Sequence, residues 1–131
     1  MSIRLPRVVL VSMLFTWAAL FAFHGVAHAQ KGADMPAVIE IVKFKLAPGI
    51  TATAFQPVDR AVEVQHVSKQ PGFISRESAA DENGEWLVIV HWKSVKDAET
   101  SMASFSSAPA ARAFMSMIDA STMAMQRYVK Q

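Results

Sequence analysis

The apolar residues of this chain change period several times, and each change marks an element. Val8 to Phe23 is apolar almost without a break, relieved only by Ser12 and Thr16. Gln30 to Pro36 reads as a short linker. Ala37 to Leu46 is rich in β-branched residues and ends at Pro48-Gly49, which predicts a strand and a turn. Between Thr51 and Ser68, Phe55, Val58, Val62 and His66 fall on one stripe, so an amphipathic helix is predicted that closes before Pro71-Gly72. Phe73 to Ala79 predicts a second strand, polar enough for an edge. Asp81-Glu82-Asn83-Gly84 predicts a hairpin turn, with Asn-Gly supplying the positive φ of type I′. Glu85 to Lys93 is nearly all apolar, the pattern of a central strand buried on both faces.

Ser94, with Asp97 three residues on, predicts a helix start. Val95, Ala98, Met102 and Phe105 lie on one side of that helix, and Ser106-Ser107 interrupts it. Pro109 suits the first position of a further helical piece, whose apolar face is Ala110, Ala113, Phe114, Met117 and Ile118. Ser121 to Lys130 alternates Met123, Met125, Arg127 and Val129 against Thr122, Ala124, Gln126 and Tyr128, which predicts a fourth strand. The order β-α-β-β-α-β predicts an α+β, ferredoxin-like fold with an antiparallel sheet, a single domain over residues 37–131. Along the third strand Trp86, Val88, Val90 and Trp92 point one way, and Leu87, Ile89 and His91 the other. Two helical layers cover one sheet face only, so a homodimer with its uncovered faces together is expected.

The N-terminal run changes the picture of charge and place. Arg4 and Arg7 precede it, and Ala27-His28-Ala29 follows with small residues flanking a larger one. That is the layout of a secretory signal over residues 1–29, with cleavage after Ala29. A retained anchor is the alternative, but the run is shorter than the ~20 residues that span a bilayer as a helix. The mature chain is expected in the periplasm or secreted, touching the membrane only through the signal before cleavage. The sequence has 13 basic and 11 acidic residues, so loss of the two arginines leaves the charges balanced. No basic excess remains for nucleic acid, and no such partner is expected. There is no cysteine, so stability rests on packing.

Candidate chemistry is sparse. His66 lies on the apolar stripe of the first helix, with Glu63 and Asp59 about one and two turns away as orienting carboxylates. It reads either as a general base in a pocket or as a helix-end histidine that meets the C-terminal dipole. His91 reads either as a pocket base or as a satisfied strand-end group. Two histidines without a carboxylate cluster make a poor metal site, so no metal is expected. The late methionines Met102, Met115, Met117, Met123 and Met125 raise Cu(I), which thioethers favour. Met117, Met123 and Met125 fall on apolar faces, so the reading taken is that of adaptable core fillers.

The stretch Val38 to Gly49, the Gln70-Pro71-Gly72-Phe73 turn and the Glu85-Trp86 strand ending in His91-Trp92-Lys93-Ser94 resemble a known group. So do Asp97-Ala98 and the Phe105-Ser106-Ser107 break before Pro109. Over residues 37 to 129 the chain is similar to the antibiotic biosynthesis monooxygenase domains of the dimeric α+β barrel superfamily. The resemblance implies a dimeric barrel and, for the quinone-forming members, cofactor-free oxygenation of a small aromatic or quinone-like substrate. It implies substrate contacts at Trp92, which closes the third strand, and at Arg112. Where those members carry an Asn this chain has Val88, and where they carry a Tyr it has about Ala98. The haem-degrading members use a histidine in the second helix region; this chain has none between Lys93 and Ile118, so no haem and no other cofactor is expected.

Two functions follow. One is a cofactor-independent monooxygenase with His91 and His66 as catalytic groups and Trp92 and Arg112 on the substrate. The other is a non-catalytic dimeric module that binds a small hydrophobic or aromatic ligand. They separate on whether a histidine and a cationic group converge on one cavity.

Overall fold

The structure, a computed structural model, describes residues 36–131. The expected signal segment and all of the expected linker except Pro36 lie outside the described residues. Strand β1 (Val38–Leu46) leads to helix α1 (Ala52–Gln65), a 3₁₀ turn (Val67–Lys69) and strand β2 (Phe73–Ala80). Strand β3 (Glu85–Trp92), helices α2 (Val95–Phe105) and α3 (Pro109–Ser116) and strand β4 (Ile118–Val129) follow. The strands form one sheet in the order β2-β3-β1-β4, and every pairing is antiparallel. This is the ferredoxin-like α+β arrangement. The polar second strand stands at an edge, and β1 and β3 lie inside.

Local chemistry sets the helix starts. Thr51 caps α1 by accepting from the backbone N–H of Ala54 at 3.2 Å, and Ser94 caps α2 by accepting from that of Asp97 at 3.1 Å. Pro109 opens α3. The helices cover the sheet face that bears Val38, Phe44, Trp86, Val88, Val90 and Trp92, all buried. At the centre, the Phe55 ring lies 5.8 Å from that of Phe44, 5.0 Å from that of Trp86 and 5.1 Å from that of Phe114. Each such aromatic contact adds roughly 0.5–1.5 kcal/mol beyond area burial.

Four details differ from the sequence reading. The hairpin is not type I′: among the described residues only glycines have positive φ, and here that is Gly84 at 79°, not Asn83. The Asp81 carboxylate accepts from the N–H of Asn83 at 2.9 Å and of Glu85 at 2.7 Å, which favours a longer loop with a left-handed residue last. Its pKa is lowered below the ordinary value, chiefly by the Glu85 N–H. In α1 the buried face is Phe55, Asp59 and Val62, and His66 lies just beyond the helix end. Met117 and Ile118 are not helical: Ile118 pairs with Leu46 and starts β4, three residues before the alternation begins. An irregularity opposite Lys43/Lys45 explains this, because it shifts the register, and the Thr122 hydroxyl fills it by accepting from the N–H of Lys45 at 2.9 Å. Strand β3 alternates buried with half-buried residues, so its second face is not covered within one chain.

Candidate functional site

A cavity of about 270 Å³ opens between the helices and the sheet. Val42, Phe44, Val88 and Val90 form its sheet wall, and Val62, Phe105 and Phe114 close it from the helices. Met102 of α2, Met115 of α3 and Met123 and Met125 of β4 complete the apolar lining. The alternation of β4 places both of its methionines on this side, since Met125 pairs with Val42.

Two charged residues, Glu40 and Arg76, also line the cavity. They share one row across the sheet, in which Arg76 and Glu40 both pair with Val90 and Glu40 pairs with Arg127. Each is already neutralised. Arg76 donates from its two terminal nitrogens to both oxygens of Asp59, at 2.5 and 3.0 Å, and to the Ser78 hydroxyl at 3.0 Å. The Ser78 hydroxyl in turn donates to Asp59 at 2.7 Å. Arg127 Nε donates to Glu40 at 2.6 Å. Charge-assisted pairs of this kind make the burial of both residues tolerable. Arg76 also borders an open polar groove between α1 and β2, with Thr53, Gln56, Arg60, Glu63 and Glu77. The Arg76–Asp59 pair is thus the partition between groove and cavity.

The residues singled out in the sequence lie elsewhere, and none of the four lines the cavity. His66 is buried between α1 and α2, with Nε2 at 3.2 Å from the Ser101 carbonyl and Nδ1 at 3.4 Å from the Gln70 side-chain nitrogen. These partners fit a proton on Nε2, leave Nδ1 accepting from Gln70, and bolt the end of α1 to α2. Asp59 does not orient His66, because Arg76 holds it. His91 sits half-buried on the helix-free face, its Nδ1 at 2.9 Å from the Ser75 hydroxyl. Trp92 points to the opposite face, where it is buried against Phe73 with ring centroids 6.0 Å apart. Its indole N–H and that of Trp86 have no partner. Arg112 is exposed on α3. The structure therefore brings no two of His66, His91 and Arg112 into one pocket.

The charged residues that do reach the cavity were missed as site residues. Glu40 interrupts a strand that is otherwise apolar on that face, and Asp59 falls on the apolar stripe of α1. A charge at a core position was the available signal, since such residues are rarely buried unpaired.

No protein-family model matches this sequence, and no curated protein does either. Among solved structures the fold recurs. SnoaB, a cofactor-independent oxygenase from Streptomyces nogalater, is 15% identical with a TM-score of 0.61, over 74% of this chain and 95% of that one. A candidate antibiotic biosynthesis monooxygenase from Deinococcus radiodurans is 15% identical with a TM-score of 0.52, over 72% and 92%. A conserved protein from Methanosarcina mazei Go1 is 12% identical with a TM-score of 0.58, over 76% and 97%. Likeness at this identity is one of fold and carries no activity with it. By fold, residues 38–129 share the ferredoxin-like α+β arrangement of these structures.

Proposed function

We propose that this domain is a binding module that holds a small apolar or aromatic molecule in the cavity between helices and sheet without transforming it. The observation that carries the reading is the lining: methionine, phenylalanine and valine, with its two charged groups already engaged in ion pairs. A general base must reach the proton it takes. Among the described residues no histidine lines the cavity, and Glu40 would first have to leave Arg127. The volume lies just under the usual range for drug-sized ligands, which suits a one- or two-ring molecule.

A cofactor-independent monooxygenase for a small aromatic or quinone-like substrate is the second reading. The fold shared with the SnoaB oxygenase favours it. In that case Glu40 takes the phenol proton after exchanging partners, and Arg76 stabilises the anion. Export to the periplasm or beyond, supported by the signal layout of residues 1–29, is part of both readings. So is a homodimer through the helix-free sheet face, supported by the half-buried Ile39, Ile41, Leu87 and Ile89 there.

The test pairs binding with turnover. 1-Naphthol, 1,4-naphthoquinone and phenol are titrated by calorimetry, and oxygen uptake is followed at saturation. Saturable binding with uptake no faster than in buffer, abolished by Met125→Trp in the cavity lining, supports the module. Oxygen uptake that needs the protein and is lost in Glu40→Gln establishes the enzyme instead. No binding by any of the three removes the proposed function.

A further inference from the structure

We infer that the four methionines around the cavity form a Cu(I) site. In the sequence they read as core fillers, and burial contradicts that reading. Among the described residues the buried core contains no methionine. Met102 and Met115 are each 40% exposed, Met123 36% and Met125 44%. Yet all four line one cavity of about 270 Å³, reached from α2, α3 and β4. Leucine would line an apolar pocket with better-defined rotamers, and charged residues are the usual choice at such exposure. What methionine adds at an exposed position is sulfur.

The four thioether side chains line one space. Met123 and Met125 are two apart on one strand, hence on one face and roughly 7 Å apart at their Cα atoms. Met102 and Met115 enter from the helices, and three rotatable bonds in each side chain let the thioethers converge. Thioethers are soft and uncharged, so they select Cu(I) over the divalent ions that carboxylate and imidazole prefer. Phe105 and Phe114 line the same cavity. The site needs neither histidine, and it stands apart from the proposal of an apolar ligand, though both occupy the same space.

The experiment is an anaerobic titration of the purified protein with Cu(I) against bicinchoninate. The expected result is one Cu(I) per chain withheld from the chelator, with X-ray absorption showing sulfur neighbours. Replacing all four by leucine (M102L/M115L/M123L/M125L) changes volume little, and should weaken Cu(I) binding by roughly a hundredfold by removing its soft ligands. If the quadruple variant does not fold, M123L/M125L decides the matter through a loss of at least about tenfold. The inference is overturned if the chelator takes all the copper from the unaltered protein. It is equally overturned if the leucine variants hold copper as well, or if the metal is seen on nitrogen. Binding of 1-naphthol by the leucine variant is read separately: its loss counts against the apolar-ligand proposal and leaves the copper result standing.

Discussion

Asp59→Asn keeps the shape of a buried side chain and removes its charge. The Arg76 side chain is 3% exposed and that of Asp59 7%, so the guanidinium left behind has almost no access to water. The next carboxylate, Glu63, stands 4.0 Å away. Removing one partner of a buried pair costs about 3–5 kcal/mol. A domain of this size has about 5–15 kcal/mol in total, so the loss is a large fraction of it. At ~4–8 °C per kcal/mol, Tm should fall by roughly 12 °C or more. Removing both charges, with Asp59→Leu and Arg76→Met, should recover most of this and end within about 2 kcal/mol of the unaltered protein, because apolar replacements of buried pairs are often neutral. The exposed Ser78 can turn its hydroxyl to water. Urea unfolding followed by the fluorescence of the buried Trp86 and Trp92 compares both variants with the unaltered protein. A cost below about 1 kcal/mol for Asp59→Asn would refute the reasoning, since the pair would then be effectively solvated.

Gly72 has φ +71, and a Cβ there would overlap the Asp97 carboxylate. Gly72→Ala should therefore destabilise by about 2 kcal/mol or more, and Gly49→Ala, at φ +82 in open space, by about 1; equal melting shifts would remove the Asp97 contact from the argument. Because the folded-state pKa of Asp81 is depressed, its contribution is present above the ordinary 3.8 and lost as pH falls through the folded value. Asp81→Asn should thus flatten the stability curve below about pH 4 and leave its slope above pH 5 unchanged; an altered slope near neutrality would contradict this. Ile89→Asp, on the helix-free face, should leave a folded monomer in sedimentation, whereas Val90→Asp, on the covered face, should unfold the chain by several kcal/mol. An unaltered protein that sediments as a monomer at micromolar concentration would end the dimer proposal.

Much of the fold was legible because period and punctuation agree. The β-branched run of β1, the Ser94 cap, Pro109 at a helix start and the alternation of β4 each encode their element locally. The early start of β4 was not legible, because Ile118 belongs to the strand through its partner Leu46 and a local irregularity breaks the alternation before residue 121. The Asn-Gly signal misled for a similar reason: Asp81 recruits two backbone N–H groups and fixes a different loop. The site was less legible. Parity puts His91 and Trp92 on opposite faces of one strand, so a single pocket on either face cannot take both side chains. His66 looked like a candidate base, but its partners Ser101 and Gln70 become neighbours only when α2 packs on α1. Arg76 was hidden in a polar edge strand, since its partner Asp59 lies 17 residues away.

Methionine methyl groups report on the cavity directly. The protein, labelled with ¹³C at those methyls, is titrated with 1-naphthol while protein and ligand spectra are recorded together. The account predicts that the resonances of Met102, Met115, Met123 and Met125 move along one saturating curve and that 1-naphthol is recovered unchanged. Resonances that stay fixed, or an oxygenated product growing in as they move, would contradict it.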